Sequence, residues 1–97
     1  MKASGKRRLE WSRLGLQELY GSFETIAADN VRAAALVRDR ILQAANLLVE
    51  HPHIGKKGQR PATRELPVAG TPYTLVYRVY ARAVKIGRVL HQRRKYP

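Results

Sequence analysis

The feature that most constrains this chain is a single change of hydrophobic period, near residue 60. Before it, apolar residues recur at helical spacing; beyond it, they alternate. Ser12 has the chemistry of a helix N-cap. After it, Leu16, Leu19, Tyr20, Phe23, Ile26 and Ala27 fall at the offsets of one helical face. Asp29 and Asn30 read as turn and cap. A second helix is expected beyond them, with Ala34, Val37, Ile41, Ala44, Ala45 and Leu48 on one side and Arg32, Asp39 and Gln43 on the other. His51-Pro52 ends it, because proline donates no N–H and disfavours helix at the residue before it. Two helices joined by a tight turn make an αα-hairpin.

The strand signals flank this hairpin. Leu9 and Trp11 alternate with Arg8 and Glu10, which predicts a short N-terminal strand. Gly55-Lys56-Lys57-Gly58 reads as a turn. From Thr63 to Val68 the alternation puts Arg64, Leu66 and Val68 on one face, and Pro67 marks an edge or a bulge. Tyr73 to Tyr80 is the strongest strand signal, rich in aromatic and β-branched residues. Ala83 to His91 follows a turn at Arg82-Ala83, with Val84, Ile86 and Leu90 on one side and Val89 on the other. The last three strands should form an antiparallel meander. The helices cannot bury their stripes alone and must pack on it. The predicted fold class is α+β, with an N-terminal strand and a helical hairpin packed on a C-terminal antiparallel sheet. At 97 residues the chain has room for one small domain, residues 1–97.

Charge is distributed as unevenly as the periodicity. Residues 1–50 hold eight basic and six acidic side chains; residues 51–97 hold eleven basic ones against Glu65 alone. The whole chain carries a formal charge of +12. Such a field steers a protein toward polyanions or acidic partners.

Several classes of function are excluded or unsupported. There is no cysteine, so no disulfide scaffold, thiolate metal site or cysteine nucleophile exists. No apolar run approaches the ~20 residues that cross a bilayer. The basic stretch Met1 to Arg8 is followed by no apolar core, so no secretory signal is expected and the cytoplasm is the expected compartment. His51-Pro52-His53 is a poor metal chelate, because alternate residues of an extended segment point apart. No metal, cofactor, membrane or small-molecule substrate is expected. What remains is a basic, aromatic sheet face and a basic tail, in which Tyr73, Tyr77, Tyr80 and Tyr96 interleave with Arg78, Arg82, Arg88, Arg93, Arg94 and Lys95.

Three stretches carry a family pattern. They are Arg60-Pro61-Ala62-Thr63-Arg64-Glu65-Leu66-Pro67-Val68, Thr71-Pro72-Tyr73-Thr74-Leu75-Val76-Tyr77-Arg78-Val79 and Ile86-Gly87-Arg88-Val89-Leu90-His91-Gln92-Arg93-Arg94. Together with a helix pair ending in Glu50-His51-Pro52, they resemble the RelE/ParE superfamily of toxins from type II toxin–antitoxin, or plasmid stabilisation, systems. The resemblance implies a cognate antitoxin as partner and one of two activities. ParE-like members poison DNA gyrase and cut nothing; RelE-like members enter the ribosome and cleave mRNA.

In RelE-like nucleases an arginine precedes the Leu-Val-Tyr of the central strand. Here that position is Thr74, and lysines expected on the preceding strand fall at Glu65 and Pro67. Losing one positioned donor costs about 100- to 1,000-fold in rate. The resemblance therefore favours a gyrase inhibitor, with Arg64, Arg78, Arg88, Arg93, Arg94 and Lys95 as target-binding residues. In the nuclease alternative, His91, Arg94 and Tyr96 would be catalytic. A third reading is a non-toxic, basic nucleic-acid-binding module.

Overall fold

The computed structural model describes residues 7–93. In chain order the elements are β1 (Arg8–Trp11), α1 (Arg13–Ala27), α2 (Val31–Glu50), β2 (Lys56–Lys57), β3 (Arg64–Pro67), β4 (Tyr73–Val79) and β5 (Ala83–His91). The five strands form one mixed sheet in the order β1-β5-β4-β3-β2, with β1 parallel to β5 and the other pairs antiparallel. The meander and the hairpin are as the periodicity implies.

Local chemistry sets the helix ends. The Ser12 hydroxyl accepts the Gly15 N–H at 2.8 Å, and the Asn30 side chain accepts the Ala33 N–H at 3.0 Å. Each satisfies one of the orphan donors of a first helical turn, worth about 1 kcal/mol. α2 stops at Glu50, where Pro52 forbids continuation.

The helices cover one face of the sheet. Leu19 of α1 and Ile41, Ala45 and Leu48 of α2 pack on Tyr73, Leu75 and Tyr77 of β4 and on Val84, Ile86 and Val89 of β5. Fully burying one such aliphatic side chain contributes about 1.5–3 kcal/mol. Tyr20 departs from the expected stripe: it is 63% exposed. α1 turns Gly15 and Leu19 inward, so position 20 points away from the sheet. Gly15 suits this close approach, since a Cβ would sit 3.0 Å from the Ile86 carbonyl oxygen, tighter than most such contacts.

Two register features differ from the simple alternation. A β-bulge leaves Gly87 without a ladder partner, since Tyr77 pairs with Ile86 while Val76 pairs with Arg88. One extra residue inverts the parity of everything after it. Val89 therefore joins Val84 and Ile86 in the core, and Leu90 moves to the opposite face with Arg88, the reverse of the expected partition. The second difference is Lys56–Lys57. Expected as a turn, it forms a two-residue edge strand against Arg64 and Glu65. A strand that short has no period to detect. It also leaves Pro67 with a neighbour on one side only, which suits a residue that cannot donate.

Candidate target-binding surface

The helical layer packs on one face of the sheet only; on the other face Val76 and Leu90 are buried, while the cations beside them are accessible. Residues paired across a ladder share a face, so this open face carries Thr74, Val76 and Arg78 of β4, Lys85 and Arg88 of β5, and Glu65 of β3. At its centre lies a groove of about 430 Å³, lined by Ser12, Leu14, Arg60, Thr63, Val76, Tyr77, Arg78, Tyr80, Lys85, Gly87 and Arg88. Four of these side chains are cationic and none is a carboxylate or an imidazole.

The rims are preformed. Thr63 donates its hydroxyl to the Arg60 carbonyl at 2.7 Å, and the Gly58 N–H reaches the Thr63 carbonyl at 2.8 Å. Arg78 donates to the Pro61 carbonyl at 3.3 Å. On the other side, β1 ends at Trp11 and leaves half of the β5 edge without a strand. α1 supplies substitutes: the Ser12 hydroxyl donates to the Gly87 carbonyl at 2.8 Å, and the Glu18 carboxylate accepts the Val89 N–H at 2.9 Å. The same carboxylate takes the Arg88 guanidinium through Nη2 at 2.8 Å and Nε at 3.1 Å. Both side chains are only about a quarter exposed, 24% for Arg88 and 21% for Glu18. Arg88 thus joins α1 to β5 as well as lining the groove.

The sequence-derived site residues do not all converge. Arg78 and Arg88 share the open face. Arg64 lies on the helix side, opposite Tyr77, where it donates to the Gly55 carbonyl at 2.8 Å and the His53 carbonyl at 3.3 Å. Next to it the Tyr77 hydroxyl donates to the Pro52 carbonyl at 2.7 Å and accepts the Gly55 N–H at 2.9 Å. Burial pushes the Tyr77 phenol above its ordinary 10.0, against the opposing pull of the Gly55 N–H and the Arg64 charge. A side chain at Gly55 would collide with that phenol. Arg64 and the Tyr77 hydroxyl therefore hold the loop after α2, and of the two only Tyr77 also lines the groove.

His91 is also on the helix side. Its ring meets Tyr73 edge-on, with centroids 5.3 Å apart, and its Nδ1 accepts the Arg93 N–H at 3.1 Å. The sheet stands between His91 and the groove. Arg93 is exposed in the turn after β5. Arg94, Lys95 and Tyr96 lie outside the described residues. Sequence reading missed Lys85, which sits directly across from Arg78, and the groove role of Arg60. The alternation of Lys85 with Val84 and Ile86 was the available signal for its face. Among the described residues there is no cluster of three or more His, Asp or Glu side chains able to hold a metal ion, and no helix is long and apolar enough to cross a membrane.

Two helices packed on a five-stranded mixed sheet are the fold of RelE/ParE toxins. Residues 9–96 match the family model of the ParE toxin of type II toxin–antitoxin systems, parDE, and the chain belongs to that family. It is 36% identical over 92 residues, 95% of both chains, to the Sinorhizobium fredii protein named "Putative toxin Y4kP". Among solved structures, it superposes on a chain of the chromosomal ParDE system from P. aeruginosa with a TM-score of 0.80, at 20% identity, covering 91% of this chain and 98% of that one. A chain of the intact E. coli RelBE toxin–antitoxin complex gives a TM-score of 0.67, at 21% identity, covering 91% and 99%.

Proposed function

We propose that this ParE-family toxin inhibits DNA gyrase by docking its open, cationic sheet face, and that a cognate antitoxin neutralises it. The observation that carries this reading is the composition of the groove. It gathers Arg60, Arg78, Lys85 and Arg88, and among its lining residues there is no histidine or carboxylate, the side chains that most often move protons near neutral pH. RNA cleavage by attack of a ribose hydroxyl needs groups that accept and donate protons at the reacting atoms. Thr74, at the position where RelE-like nucleases carry an arginine, offers only a hydroxyl. The greater likeness to the ParDE chain than to the RelBE chain points the same way.

An antitoxin fits the physical chemistry of the surface. A chain of +12 with exposed Leu14 and Tyr80 beside the groove cations suits an acidic, amphipathic segment that orders on binding. The gyrase target would place the protein in the cytoplasm. The test is plasmid supercoiling by purified gyrase in parallel with cell-free translation. The expected result is loss of supercoiling with transcripts intact. Full supercoiling at saturating toxin, or transcripts cut within codons, overturns the reading.

A further inference from the structure

We infer that the open-face groove binds single-stranded DNA directly, with Arg78 and Lys85 on the phosphodiester backbone and Tyr80 against an unstacked base. Direct DNA contact goes beyond gyrase inhibition, and its test needs no gyrase.

The first support is an electrostatic cost left in the fold. Arg78 and Lys85 are paired across β4 and β5, so two cations stand side by side on one face. Like charges directly opposite in an antiparallel ladder destabilise it. Among the described residues neither forms an ion pair. Glu10, the neighbour of Lys85 on β1, is bonded to Arg8 at 3.2 Å and does not line the groove. An anion lying between the two strands would relieve this repulsion.

The second support is shape and surface. Leu14, Val76 and Gly87 add apolar atoms to the lining, and Tyr80, 50% exposed, stands among the cations. A cationic groove with an aromatic platform is how proteins hold single strands without reading their sequence. A volume of about 430 Å³ is enough to seat one unstacked nucleotide.

The third support separates DNA from RNA. Proteins recognise ribose through its 2′-hydroxyl. The Ser12 and Thr63 hydroxyls of the groove are already bonded to the Gly87 and Arg60 carbonyls, and no carboxylate lines it. Nothing in the lining rewards ribose.

Fluorescence anisotropy of the purified toxin with a short labelled oligothymidylate tests this. Competitors are oligouridylate, a hairpin duplex and oligoglutamate of matched charge. Arg78→Gln/Lys85→Gln should weaken oligothymidylate binding at least about tenfold and flatten its salt dependence. Arg13→Gln/Arg32→Gln removes the same charge from exposed helix positions and should change binding less than about twofold. Tyr80→Ala should weaken oligothymidylate several-fold and leave oligoglutamate unaffected. Equal losses from the groove and helix pairs would show only diffuse polycation binding and overturn the site. Tighter binding of oligoglutamate would assign the groove to an acidic protein instead, and tighter binding of oligouridylate would overturn the choice of DNA. Lys85→Glu alone repeats the test if the double variant has an altered circular dichroism spectrum.

Discussion

The two faces of one sheet hold opposite kinds of residue for opposite reasons. On the helix side nearly every polar group is satisfied by protein: Tyr77 and Arg64 bond the backbone of the loop after α2. On the open side Arg78 and Lys85 stand side by side, and among the described residues neither forms an ion pair. The helix side makes the fold; the open side is arranged at some cost to it. Substitutions on the two faces should therefore separate stability from target binding.

The largest expected effect is on the helix side. Ile41→Ala should lower the free energy of unfolding by about 2–5 kcal/mol, because Ile41 is fully buried and the cavity cannot collapse against both layers. Denaturant titration measures it, and a loss under about 1 kcal/mol would mean that the helices are not packed as described.

Tyr77→Phe should cost about 1–3 kcal/mol, since the Pro52 carbonyl and Gly55 N–H both lose a buried partner. This difference has a pH signature. The folded-state pKa of Tyr77 lies above its unfolded 10.0, so its contribution is whole below pH 10.0 and falls as pH rises through the folded value. The gap between wild type and Tyr77→Phe should narrow above pH 10.0. A gap that widens there would reverse the assigned direction of the shift.

Glu18→Gln sharpens the comparison at the boundary between the faces. Glu18 joins α1 to the open edge of β5 through Arg88 and the Val89 N–H. The amide keeps one acceptor oxygen and loses the charge, so about 1 kcal/mol should go, with faster hydrogen exchange at Val89.

The open-face prediction is the smallest in stability. Lys85→Gln should leave the unfolding free energy unchanged or raise it by up to about 0.5 kcal/mol, by relieving the repulsion from Arg78. It should nevertheless reduce inhibition of supercoiling. A Lys85 variant that unfolds easily, or one that inhibits gyrase as well as wild type, would erase the proposed contrast.

Much of the architecture was legible in the chain. Ser12 and Asn30 announce the helix starts, Pro52 the stop, and the shift of period near residue 60 separates the hairpin from the meander. These signals are local: a cap bonds within three residues, and a strand shows its alternation along its own length. The family pattern of the last third was equally readable.

The site was legible only in part, because faces are decided between strands. Alternation along a strand says which residues go together; it does not say which strand's odd positions meet another's even ones. The Gly87 bulge exchanged the sides of Val89 and Leu90, and the pairing of Arg64 with Tyr77 carried that arginine away from Arg78 and Arg88. Lys56–Lys57 became a strand only because Glu65 and Arg64 were there to pair with it. The sequence by itself determined the elements, their ends and the excess of positive charge, through interactions that span a few residues. Only the tertiary structure decided which cations share a surface, because register is a property of two chain segments held at hydrogen-bonding distance and neither segment encodes it alone.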